Sequence, residues 1–292
     1  MCETCERYKF LLSHGNLNEE ERTKLYEEYH NHLKASDLGY ASRSADHEEA
    51  KDNDKVSVAD IDYGGGLRTP WVRYSGGYFK HIIPLQAWII AGPKQVCFYC
   101  YDEKMVNSKS PNETLSMTYH WILAEKKRKP NLTRIIFWCD NCAGHGWNQY
   151  MMRFIHEVVD PTSMFYVKGI TRIDIKASPS GHTYLWCDRV IAPVKRISRT
   201  MAEGIVCSFN TPALHALYTK RTWEYCIRHA KGAEAIPYQF IRAGKLSDEW
   251  SGFFDFKSYW NGPVQKNKKG KYYYILIKCC RWKWNNYCCR CY

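Results

Sequence analysis

No run in this 292-residue sequence approaches the roughly 18 consecutive apolar residues that a membrane-crossing helix needs, so a spanning helix is not expected and a membrane is left off the list of partners. The first residues, Met1-Cys2-Glu3-Thr4-Cys5-Glu6-Arg7, lack the apolar stretch of a secretory signal. An intracellular chain, nuclear or cytoplasmic, is therefore expected. Acids are in short supply: 30 Asp and Glu face 42 Lys and Arg, a formal net charge of +12. That balance favours an anionic partner, nucleic acid before membrane, although a basic soluble protein of another kind would show it too. No internal repeat is visible, which argues against a repeat architecture.

Cysteine is not scarce. The chain has 14, and in a reducing compartment they are expected as thiols. Two glycosylation sequons, Asn112-Glu113-Thr114 and Asn131-Leu132-Thr133, would go unused there. Aromatic residues, at 15%, are abundant, and the length suffices for one large domain or two smaller ones.

Three regions differ in character. Residues 1–55 are polar and charged, a helical lead-in carrying Cys2 and Cys5. Asn18 followed by Glu21 has the form of a capped helix start, with Leu25, Tyr29 and Leu33 as a thin apolar stripe. Arg43 to Lys55 is expected as a charged linker. Residues 56–200 alternate between strand and helix patterns. Val56 to Ile61 has strand periodicity and is expected to end at Asp62, with Gly64-Gly65-Gly66 breaking it. Ile82 to Ile90 and Val96 to Tyr101 are two more strands. Ser110, Pro111 and Glu113 supply an N-cap, an N1 proline and an N3 acid, and the helix they open ends at Lys126-Lys127-Arg128-Lys129-Pro130. Leu132 to Cys139 is a buried strand leading to Asp140. Met151, Phe154, Ile155, Val158 and Val159 mark an amphipathic helix. Residues 164–177 have a strand pattern, and His182 to Arg199 a helix pattern that Pro193 should kink. Residues 201–292 form a less regular basic and aromatic extension, packing on or beside the rest.

The order strand, strand, strand, helix, strand, helix, strand, helix predicts an α/β fold: an RNase H-like mixed sheet flanked by helices, with an N-terminal helical lead-in and an irregular C-terminal extension. In α/β sheets ligands gather outside the carboxyl ends of strands, which makes Asp140 and Asp62 the first candidates for chemistry.

Three segments carry a resemblance. Asp62-Tyr63-Gly64-Gly65-Gly66-Leu67-Arg68-Thr69-Pro70 is similar to "D-[LF]-Q-Q-x-L-P-x-P". Cys139-Asp140-Asn141-Cys142-Ala143-Gly144-His145-Gly146-Trp147-Asn148 resembles "S-D-N-C-G-G-Q-N-x-N". Gly181-His182-Thr183-Tyr184-Leu185-Trp186-Cys187-Asp188-Arg189 resembles "G-H-S-[FY]-x-x-x-D-R". These are segments of a family of eukaryotic proteins related to DDE transposases, whose domain is RNase H-like. The resemblance implies metal-dependent phosphodiester cleavage or strand transfer on DNA, with Asp62, Asp140 and Asp188 holding two Mg²⁺ or Mn²⁺ ions. It implies supporting places for Asn141, His145 and His182. Two divalent ions about 3.5–4 Å apart can activate the attacking oxygen and stabilise the leaving one, and hard cations need only a few carboxylates.

Each acid has a plainer alternative. Asp62 could cap the glycine turn, with Asp60 as its substitute at the same strand parity. Asp140 could cap the next helix, and Asp188 could pair with a neighbouring cation. His182 could equally be a core histidine bonded to backbone. The family's two glutamines are Gly64 and Gly65 here, and its later glutamine is His145. These departures keep open a second expectation: a catalytically inactive, transposon-derived module that binds nucleic acid or protein. A third is a structure-specific RNase H-like nuclease. Cys2 and Cys5 are half of a zinc site, with His30 and His32 among the candidates to complete it. Lys266, Lys268, Lys269 and Lys271, interleaved with tyrosines, suit phosphate contact and base stacking, or a solvated loop. DNA is the partner expected, and a homo-oligomer remains open.

Overall fold

The computed structural model describes residues 2–69, 83–102, 110–140, 148–177, 179, 181–201, 238–242, 252–260 and 288–291. A seven-stranded sheet runs in the order β6-β3-β2-β1-β4-β5-β7, formed by Val56–Thr69 (β1), Ile83–Ala91 (β2), Val96–Asp102 (β3), Arg134–Cys139 (β4), Arg172–Ala177 (β5), Tyr238–Arg242 (β6) and Cys288–Cys291 (β7). The β1-β2 and β2-β3 pairs are antiparallel; β1-β4 and β4-β5 are parallel. The central order 3-2-1-4-5, a meander followed by two parallel strands, is the RNase H-like arrangement expected from the sequence. The C-terminal extension supplies both outer strands, β6 parallel to β3 and β7 antiparallel to β5.

Among the described residues six helices accompany it: Glu3–His14 (α1), Glu19–Asp52 (α2), Pro111–Arg128 (α3), Gln149–Val159 (α4), Trp186–Met201 (α5) and Phe256–Trp260 (α6). Because strand side chains alternate, β1 divides its residues between two layers. Ala59, Ile61 and Tyr63 face a core completed by Leu115, Trp121 and Ile122 of α3 and Met151, Phe154 and Val158 of α4. Val56 and Val58 face the other, with Ala50 of α2 and Cys187, Val190, Ile191 and Val194 of α5. Covered on both sides, β2 is apolar without a break from Ala87 to Ala91.

Local signals account for the helix starts. The Asn18–Glu21 and Ser110–Glu113 capping boxes are both formed, and Pro111 stands in the first turn of α3. The Asn148 side chain accepts from the Met151 N–H at 3.0 Å and opens α4. The small helix α6 buries Phe256 against Phe154 and Phe165, and Asn112 bonds both Asp255 and the Lys257 N–H.

Several expectations need correction. β1 does not stop at Asp62 or break at the glycines; it continues to Thr69, absorbing them in a register shift between Gly64 and Leu67. An added Cβ at Gly64 would run into Ile191 Cδ1 and Ile89 Cδ1, so any side chain there would force both isoleucine ends to shift. The charged stretch after Arg43 is no linker, since α2 runs unbroken to Asp52. β5 begins only at Arg172, and the segment before it is a series of turns. α5 starts at Trp186, four residues after His182, and holds Pro193 inside it.

Candidate functional site

Val56, Val58, Asp60 and Asp62 share one face of β1, Ile136 and Trp138 share the same face of β4 by parity, and Asp140 is the first residue past the end of β4. The parallel register pairs Asp60 with Trp138 and Ile61 with Cys139, so one further step brings Asp62 level with Asp140. Neighbouring strands lie about 4.8 Å apart, so the two acids stand side by side on the face that α5 covers. Asp188 is in the first turn of that helix. Its carboxyl is pushed above the ordinary aspartate value, mainly by burial and in small part by the negative charge of Asp140. The Leu185 N–H donates to Asp188 Oδ2 at 3.1 Å, so Asp188 also caps the start of α5. Asp62 Oδ1 accepts from the Tyr63 N–H at 2.7 Å. Cys187, buried between these acids, has its thiol held well above its usual value by burial and by Asp60, Asp62 and Asp188, which makes it a packing residue rather than a nucleophile.

Asp60 is committed elsewhere. It is fully buried, accepts from the guanidinium of Arg43, and lies 2.9 Å from His47 Nε2. The Trp186 N–H donates to its Oδ2 at 2.6 Å, and Arg43 also reaches the Tyr184 carbonyl at 2.6 Å. One carboxylate thus binds α2, β1 and the start of α5 together. Two further buried acids extend this polar layer. Asp46 of α2 accepts from Lys176 of β5 at 2.6 Å and from the Trp138 indole at 2.8 Å, and Asp174 is held by Arg134 and Arg172, both at 2.8 Å. Buried charges persist when paired and hydrogen-bonded in this way.

A second cluster lies on the N-terminal side of Asp188. Cys2 Sγ is 3.3 Å from His32 Nε2, Cys5 Sγ is 3.2 Å from His182 Nε2, and the two Nε2 atoms are 3.0 Å apart. All four ligand atoms fall within 4.8 Å of one another, and among the described residues no other His, Cys, Asp or Glu group of three or more is so compact. Asp62, Asp140 and Asp188 therefore share a face without closing to that spacing. Cys2 caps α1 and Cys5 is in its first turn; both are buried. His32 comes from α2 and His182 from the loop before α5. His182 therefore turns its ring to the cysteines. Gly181 precedes it at φ +79°, and a Cβ there would lie 2.8 Å from Cys2 Cα. Burial and the neighbouring His182 hold His32 below its usual value, in the neutral form that binds metals. Sequence reasoning named Cys2, Cys5 and His32; His182 was read as a core histidine or as support for the acids, not as a zinc ligand.

Asn141, His145, Lys266, Lys268, Lys269 and Lys271 lie outside the described residues.

The strand order and the mixed pairing define an RNase H-like α/β domain. No family profile matches the chain, and no curated protein is significantly similar to it. Two solved structures of the human cytomegalovirus terminase nuclease domain, both manganese-soaked, are similar to it in part. The inhibitor-bound one shares 12% identity, covers 66% of this chain and 85% of its own, and has a TM-score of 0.26; the other gives 13%, 70%, 88% and 0.25. Similarity of that extent carries no functional conclusion, and the fold assignment rests on topology and register.

Proposed function

We propose that this chain is a metal-dependent, phosphodiester-cutting RNase H-like domain of the DDE transposase type, acting on DNA. The observation that carries the reading is the β1-β4 register, which sets Asp62 beside Asp140 under the helix turn that bears Asp188. Three carboxylates on one face give oxygen ligands of the kind Mg²⁺ and Mn²⁺ take, with water or a DNA 3′-hydroxyl as nucleophile. The excess of Lys and Arg suits a polyanionic substrate. The catalytic role of each acid, the second metal and the nuclear location belong to this proposal.

A second reading has its own support. Asp188 is engaged as a helix cap, and Ile191 occupies the space over Gly64, where the resembling family has a glutamine. A domain kept for binding nucleic acid or protein would tolerate both. Nicking of supercoiled DNA with Mg²⁺ or Mn²⁺ separates the two. Cleavage that disappears in Asp140→Asn supports the enzyme; equal cleavage in both proteins overturns the metal assignment, and no cleavage in either favours the binding module.

A further inference from the structure

Outside the acidic face, four side chains that bear lone pairs converge on one point. They come from three places: the first turn of α1, the middle of α2, and the loop that leads into α5. We infer that Cys2, Cys5, His32 and His182 form a tetrahedral Zn²⁺ site that fastens the two N-terminal helices to the loop carrying the Gly181-His182 pair. The inference stands apart from the proposed nuclease reading.

Distances support it first. With Zn–S near 2.3 Å and Zn–N near 2.05 Å, a tetrahedron has edges of roughly 3.3–3.8 Å. The S···N distances of 3.2 and 3.3 Å and the N···N distance of 3.0 Å lie slightly inside those edges, and all four atoms stay within 4.8 Å. The set is two sulfurs and two imidazoles, which selects zinc over hard cations.

Two imidazole Nε2 atoms face each other at 3.0 Å, close enough for one ring's N–H to donate to the other or for both lone pairs to bind one metal. A Zn²⁺ ion bound by all four atoms would release the thiol protons to solvent.

The surroundings agree. The spacing is C-x₂-C, at a helix N-terminus whose N–H groups favour thiolates. Tyr8 packs beside His32, ring centroids 6.2 Å apart, and against Tyr29 at 5.6 Å, on the α1-α2 side. Gly181 lets the loop reach Cys2, since any Cβ would strike it. All four ligands come from protein, so no coordination position is left for substrate; the site is structural. Its position has a consequence: His182 is four residues before α5, and that helix brings Asp188 to the sheet.

The test is the metal content of the purified full chain, read by mass spectrometry after gel filtration, with no nuclease assay. About one zinc per chain is expected for the unaltered protein and for His30→Ala, an exposed neighbour outside the cluster. Cys5→Ser and His182→Ala should each fall at least tenfold. Cobalt reconstitution should give the intense visible bands of a tetrahedral Co²⁺–thiolate site, and His182→Cys should retain metal and strengthen the thiolate charge-transfer band. If Cys5→Ser or His182→Ala does not fold, the cobalt spectrum of the unaltered chain decides. A metal-free chain, full zinc in His182→Ala, or an octahedral cobalt spectrum overturns the site. Asp140→Asn should keep its zinc whatever it does to DNA cleavage.

Discussion

The backbone N–H of Trp186 donates to the buried carboxylate of Asp60 at 2.6 Å, joining the first turn of α5 to β1. The same carboxylate neutralises Arg43 of α2, so the acid two positions before the candidate metal ligand Asp62 is structural. Removing one partner of a buried pair typically costs about 3–5 kcal/mol. Asp60→Asn should lower unfolding stability by that order in urea titrations. Asp62→Asn, by contrast, should change stability by less than about 1 kcal/mol while removing any divalent-ion-dependent cleavage. Equal stability losses at the two positions would remove the distinction between them.

Gly64 lies beneath Ile191. Gly64→Ala should destabilise the fold by about 1–3 kcal/mol through overpacking. Pairing it with Ile191→Val deletes the Cδ1 atom that the new methyl meets, and should recover part of the loss. Strict additivity of the two changes in thermal or urea unfolding would refute this contact.

Asp188 has a native carboxyl value above that of an unfolded aspartate, chiefly through burial. The folded state therefore holds this proton more tightly than the unfolded one. As pH rises from the ordinary aspartate value, about 3.9, through the higher native value, Asp188 should lower stability, and above that window its penalty is constant. Asp188→Asn keeps an oxygen that can accept from Leu185 and loses the charge. Without added Mg²⁺ or Mn²⁺, its stability should fall less than the parent's across that window, as read from urea midpoints at successive pH values.

The Ser110 capping box opens the helix that backs the sheet. Ser110→Ala should cost about 1 kcal/mol, and Ser110→Asp much less, in the same measurement.

Where structure follows from local chemistry, the sequence was legible. The two capping boxes, the Val56 and Arg134 strands and the amphipathic α4 all announce themselves by spacing, and together they fix the RNase H-like order. Asp62, Asp140 and Asp188 were visible as acids of one constellation, although their roles await the DNA experiment. The C-terminal half of α2 was not legible, because Arg43, Asp46 and His47 look like solvated linker residues until Asp60 and Lys176 are placed opposite them. Triple glycine suggested a break, but a register shift and the close approach of Ile191 gave it a place inside β1. His182 eluded the reading for a different reason: it meets His32 across 150 residues of sequence, and no spacing rule spans that separation.

His32, at the Cys-His cluster, and Arg43, at buried Asp60, lie on one continuous helix, about three turns and roughly 16 Å apart. Both must point the same way for α2 to serve its two attachments, and three whole turns keep them in phase. The helix thus acts as a ruler with a fixed angular setting. Deleting or inserting one residue between them would rotate one end by about 100° relative to the other. The protein should tolerate many substitutions along that stretch and almost no change in its length.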